Sequence, residues 1–316
     1  MMNTRANNPP GLRPAAWAQF ILAAAIVAVA VHLLVHHLGE LSPREIIRAG
    51  QAIPAKRIWA CGALTGVSFL ALGGYDIIAV RVIAAGQISA QRAWLTGAIA
   101  NALSNTLGFH AFTGTAVRYR LLTRSGLTGG QVAGVTALSW TTLALGFASM
   151  FSIALAASAQ AGPWQRVVGV LLLGTLFLSA RWLGVGKVIR IGKFDLRLPS
   201  GKLALRQMGL GAMEMAAAIG ALYVLMPAAA FPSLTDFSTL YIGAVLLGIA
   251  SHSPGGLGVF EATMLALSPS QDRAAVLAAL LLYRLVYNIG PFILAGLAFA
   301  AEEARAALNL RADISG

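Results

Sequence analysis

The chain has 316 residues, of which 58% are hydrophobic and only 11% charged, and its mean hydropathy is +0.75. A soluble domain carries about 25% charged residues, so an ordinary water-soluble enzyme is excluded and an integral membrane protein is indicated. The formal charge of +12 sits in connections between apolar runs rather than on a polar face. That is the pattern of membrane topology, and no nucleic acid partner is expected.

In chain order, residues 1–16 read as a short cytoplasmic tail and 17–316 as one transmembrane domain. Arg5 and Arg13 ahead of the apolar run 17–38 resemble a signal peptide, but the run is too long and ends in His36-His37 instead of small residues. It is expected to be a retained first span. Arg44, Arg48, Lys56 and Arg57 then fall on the external side, against the positive-inside rule, unless this stretch lies flat as an amphipathic helix with Glu40 and Glu45 partly offsetting it. The runs 58–80, 132–157, 167–183, 205–226 and 274–301 can each cross the roughly 30 Å hydrocarbon core as a helix of about 20 residues. Cys61 is the sole cysteine, so neither an internal disulfide nor a thiol metal or redox motif can be built.

Two regions break the pattern. In 95–122 and 239–267 the apolar residues form two short arms with Gly and His at the bend, which predicts re-entrant helical hairpins; tilted ordinary spans are the alternative. The fold class expected is therefore all-α, a polytopic membrane helix bundle of about six full spans plus two re-entrant hairpins. Lys187, Arg190, Lys193, Arg197 and Lys202 crowd the connection 185–204, which is assigned to the cytoplasm, whereas 158–165 is uncharged and external. Propagation puts Arg118, Arg120 and Arg124 inside, 228–236 outside and both termini inside. The hairpins then enter from opposite sides. Repeat 1 (58–157) and repeat 2 (205–301) each contain a helix with a carboxylate (Asp76, Glu214), a His-bearing hairpin and a closing helix in which Gly146 matches Gly290. His110, Gly114 and Val117 have the spacing of His252, Gly256 and Val259. Inverted repeats with broken helices are a plan for alternating access, although Gly- and Ala-rich segments also match by chance.

An ionised side chain at the centre of a membrane helix costs about 2.5 to 3.5 kcal/mol, so Asp76, Glu214, Glu261 and Arg284 should have partners or face a cavity. Arg284, Tyr287 and Asn288 share one helix face. Arg284 pairing with Glu214 or Glu261 simply to hold the bundle together is an equal reading. Asp76 and Arg81, five residues apart, diverge by about 140° around a helix, so Asp76 must find its partner elsewhere. Arg118 and Arg120 project from opposite sides of their arm, one toward the interior and the other toward lipid phosphates; topology and anionic-lipid attraction alone also account for this cluster. His110 and His252 can titrate, ligate or hydrogen-bond a bend, but neither has metal-ligand spacing, so no metal is expected. Gly255, Gly256 and Gly258 allow close backbone approach, either for N–H groups facing a phosphate or for tight packing. Nucleotide-binding and hydrolase motifs are lacking and no cofactor is expected.

Tyr75-Asp76, the 114–120 segment and above all S-P-G-G-L-G-V-F-E-A at 253–262 resemble the membrane region of the lysylphosphatidylglycerol synthase and flippase family. The resemblance spans about 17–301, and stand-alone relatives linked to hopanoid lipid transport share it. In bifunctional members it implies a flippase part that moves aminoacylated phosphatidylglycerol between leaflets, followed by a cytosolic aminoacyl transferase using charged tRNA. No polar stretch able to form that transferase is present, so no enzyme activity is expected and a separate synthase protein is a candidate partner. The expected function is a translocase for a polar, aminoacylated phospholipid. Asp76, Glu214 and Glu261 would take a cationic head group, and Arg118, Arg284 and hairpin N–H groups its phosphate. Asp76 or Glu214 is a candidate proton carrier. A hopanoid or polyprenyl-phosphate transporter, a membrane subunit of a synthase and a scaffold without transport are the competing readings.

Overall fold

A computed structural model of the chain describes residues 42–315 apart from 109, 159, 183–187, 192–193, 198–199, 229 and 232. The expected tail and first span therefore lie outside the described residues, as do Glu40, Lys187 and Lys193.

The first described helix, α1 (Pro43–Gln51), is the amphipathic segment foreseen between the first two apolar runs. Pro43 fits the first turn, where its missing N–H is no loss, and Ser42 and Glu45 close a capping box with bonds of 2.9 and 3.3 Å. The bond from the Ser42 backbone N–H holds the Glu45 carboxyl below the usual carboxylate range. Ile46 packs on the core while Arg44 and Arg48 stay exposed.

Two long helices, α2 (Ala55–Ile83) and α5 (Gly129–Ala157), bracket a shorter pair, α3 (Ala90–Leu107) and α4 (His110–Arg124). The pair is broken at Gly108, whose φ of 75° is open to glycine and strained for other residues. Pro163–Trp182 forms α6, and the basic connection contains a small antiparallel hairpin of β1 (Val188–Ile191) and β2 (Phe194–Arg197) that the hydropathy pattern gave no reason to expect. The order then recurs. It runs through α7 (Gly201–Tyr223), a broken pair of α8 (Leu234–Ala250) and α9 (Val259–Ala266) joined through a 3-10 turn at Pro254–Gly256, and a closing helix. That last helix is α10 (Arg273–Tyr283), a π-helical stretch Arg284–Ile289, and α11 (Gly290–Ser315).

The protein is an all-α membrane helix bundle. Among the described residues, four helical segments are long and apolar enough to cross a membrane: Ala55–Ile83, Gly129–Ala157, Pro163–Arg181 and Arg273–Ala306. α7 has the length, but Gln207 and Glu214 lie buried along it and lower its apolar character. The arms of the second hairpin are short, α9 being about 12 Å long at 1.5 Å per residue.

Membrane helices associate through close packing of small residues rather than hydrophobic expulsion from water. α5 and α7 accordingly cross backbone to backbone at Gly146 and Gly211: a Cβ on either would lie 2.6 Å from a backbone atom of the other. Gly290, its expected counterpart, meets only the Leu285 carbonyl of its own helix, so the matched glycines do not share a packing role. The largest buried cluster joins α2, α7, α8, α9 and α10 around Leu222, Phe237, Tyr241, Met264 and Leu280. The two breaks meet tip to tip. A Cβ on Gly255 (φ +59°) would stand 2.9 Å from the Thr106 carbonyl oxygen, and Gly248 lies against Gly256.

Candidate functional site

Among the described residues, the buried charges sort into three clusters. In the first, Arg118 of α4 donates from Nε to Asp76 Oδ1 at 2.7 Å and from Nη2 to Oδ2 at 2.9 Å, a two-pronged bond between side chains that are 2% and 0% exposed. Asp76 thus finds its partner 42 residues away. Two glycines make the room: a Cβ on Gly97 would lie 2.5 Å from Asp76 Oδ2, and one on Gly114 3.2 Å from Arg118 Nη1. Arg118 faces inward and Arg120 outward, as expected for opposite sides of one arm. Arg120 and Arg124 both chelate Glu303, and Arg92 pairs with Glu302, which fastens the end of α4 and the start of α3 to the middle of α11.

The second cluster surrounds Glu214, which is 4% exposed. Its Oε1 accepts from Ser68 Oγ at 3.0 Å and Tyr287 OH at 3.2 Å, and its Oε2 accepts from Tyr75 OH at 3.3 Å. Among the described residues no basic side chain pairs with it. Tyr287 stacks on Tyr283 with ring centroids 4.9 Å apart, and Tyr283 shares a 2.7 Å hydrogen bond with Tyr241. Ser68, Tyr75, Tyr241 and Tyr283 were not among the expected site residues. The readable signal was the run of hydroxyls at Thr65, Ser68 and Tyr75, whose spacings of three and seven hold one side of α2.

The third cluster is the glycine-rich break. Arg284 donates from Nε to Glu261 Oε1 at 2.6 Å, from Nη1 to the Gly255 carbonyl at 2.7 Å and from Nη2 to that of Gly256 at 3.4 Å, with its guanidinium 5.3 Å above the Phe260 ring. Positive φ at His252, Gly255, Gly256 and Gly258 turns these carbonyls toward the cation. Two of the N–H groups expected to face a phosphate serve the turn itself: Gly256 N donates to Ser253 O at 3.0 Å and Gly258 N to Glu261 Oε2 at 2.8 Å. The exposed His252 places Nδ1 2.9 Å from the Ala250 carbonyl and secures the bend. The His110 side chain lies outside the described residues. Asn288 contributes its carbonyl oxygen, which accepts from Thr106 Oγ1 at 3.2 Å.

Of the expected site residues, Asp76 engages Arg118 and Glu261 engages Arg284, while Glu214 is held by hydroxyls, instead of the three carboxylates jointly lining one open cavity. The Glu261–Arg284 pair borders an open groove of about 800 Å³. Its walls are Ile46 and Ile47 of α1, Leu277 and Leu281 of α10, and Leu257, Leu285 and Ile289, and the ion pair sits at its polar edge. No group of three metal-ligating side chains occurs among the described residues.

A chain with several membrane-length helices, two broken helix pairs and buried ion pairs is a multi-pass membrane protein. No family model matches it. Over 292 residues it is 28% identical to inner membrane protein YbhN of Escherichia coli K12, covering 89% of this chain and 90% of the relative. It is also 28% identical over 292 residues to the uncharacterized protein slr0712 of Synechocystis sp., covering 87% of each.

Proposed function

We propose that the chain is a lipid translocase of the bacterial inner membrane, moving a polar, aminoacylated phospholipid between leaflets. The observation that carries this reading is the groove beside Glu261 and Arg284. Its exposed apolar walls, with Ile47, Leu281 and Leu285 between 49% and 60% exposed, match an acyl chain. Its polar edge is an ion pair with no net charge. A lone anion drawn to Arg284 would strand Glu261 in a poorly solvated place, and a lone cation would strand Arg284. A head group offering both phosphate and ammonium replaces each partner by its like. Two hairpins meeting tip to tip within a recurring element order support alternating access by rocking of one half against the other. The resemblance of 253–262 to the lysylphosphatidylglycerol flippase region supports the same substrate class, and the aminoacyl lipid would be made by a separate synthase. The name of the Escherichia coli relative supports the membrane assigned. The arginines gathered at the start of α3 and the end of α4 support a cytoplasmic placement of that end, where they also meet anionic head groups.

The test is reconstitution into vesicles followed by leaflet-resolved assay of fluorescent phosphatidylethanolamine, alanyl phosphatidylglycerol and polyprenyl phosphate. The two zwitterionic lipids are expected to move, and Glu261→Gln is expected to slow them about tenfold or more. Removing one partner of a hydrogen-bonded buried charge pair costs about 2 kcal/mol or more, and about 1.4 kcal/mol is a factor of ten. Movement of polyprenyl phosphate alone would replace this reading with the competing one.

A further inference from the structure

Glu214 is the buried acid that the groove leaves unused. Asp76 and Glu261 each hold an arginine, whereas Glu214 is surrounded by hydroxyls. Among the described residues, the groups facing it are uncharged. α2 brings Ser68 and Tyr75, with Cys61 two turns away, the π-helical stretch brings Tyr287, and α8 and α10 bring Tyr241 and Tyr283. α5 contains no ionisable side chain, and α6 meets α7 through Leu176 and Ala180. Asp76, next to Tyr75 in the chain, and Arg284, in the same stretch as Tyr287, are neutralised by partners of their own. An ionised carboxylate held there without a counter-charge is costly, and one proton removes the cost.

The hydroxyls are arranged to accept that proton. Ser68 Oγ and Tyr287 OH are 2.7 Å apart and both reach Glu214 Oε1. Each hydroxyl both donates and accepts, so the chain can reverse direction when the carboxyl becomes a donor. Tyr287 lies three residues beyond Arg284 in the same π-helical stretch, and such stretches concentrate at functional sites.

We propose that Glu214 is a proton-binding site, and that its loading and unloading, relayed by Tyr287 to Arg284, couples proton movement to the groove. The second half of this proposal rests on the translocase reading; the first does not. Infrared difference spectroscopy of the full chain in phosphatidylethanolamine and phosphatidylglycerol bilayers tests the site directly. A protonated-carboxyl band is expected that vanishes as pH rises, is missing in Glu214→Gln, shifts in Tyr75→Phe and Tyr287→Phe, and ignores sodium. Its persistence in Glu214→Gln, its absence at every pH where the protein stays folded, or its loss on adding sodium at fixed pH would overturn the site. Transport of fluorescent phosphatidylethanolamine under an imposed pH gradient tests the coupling. Wild type should respond to the gradient and Glu214→Gln should lose that response. Wild-type movement indifferent to the gradient overturns the coupling while sparing the translocase. A titrating band without lipid movement sinks the translocase reading and upholds Glu214 as a proton site.

Discussion

Replacing Arg118 with methionine is expected to destabilise the folded chain by about 3 to 5 kcal/mol, the range for leaving one member of a buried ion pair uncompensated. Asp76 has no exposure and accepts both prongs of the guanidinium, so its charge has no second outlet. The double replacement Asp76→Leu with Arg118→Met should recover most of the loss, because it removes the desolvation cost together with the attraction. Denaturant unfolding of wild type and these two variants in detergent micelles measures both effects. A single variant as stable as wild type would mean that Asp76 is solvated.

Gly211→Ala should be the second severe change, although it adds one methyl group to a helix. That methyl would stand 2.6 Å from Gly146 Cα and 2.7 Å from the Thr142 carbonyl oxygen, both backbone atoms that no rotamer can move aside. α5 and α7 must then separate along their crossing, at about 1 to 3 kcal/mol for overpacking. Gly209, two residues earlier on the same helix, has open space on that side: a methyl added there would meet nothing within 4 Å. Gly209→Ala should therefore be neutral or stabilising by up to about 1 kcal/mol through helix propensity. Opposite signs from two neighbouring glycines in a thermal unfolding series would isolate the contact from the backbone.

The helices were legible because hydropathy and length dominate in this chain. The runs 58–80, 132–157 and 167–183 lie within or nearly coincide with α2, α5 and α6, and the short arms of 95–122 and 239–267 correspond to the two broken pairs. The need of Asp76 for a distant partner was legible too, because helical geometry denied it Arg81. Which arginine it would find was not, since the choice depends on the room that Gly97 and Gly114 leave. The glycines of 253–258 announced a break, but whether N–H or carbonyl groups turn inward is set by φ at each one. The hydroxyl setting of Glu214 draws on α2 and the last helix at once, so the hydroxyl spacing along α2 marked only one side of it. Nothing in 284–289 marks a π-helical turn, which is fixed by what the surrounding elements pull on.

That turn has a mechanical consequence. Within five positions, Arg284 grips the second hairpin, Tyr287 reaches α7 and α2, and the Asn288 carbonyl holds the tip of the first hairpin. A twist of this one segment about its axis would therefore be felt at all three grips, as the throws of a crankshaft share one shaft.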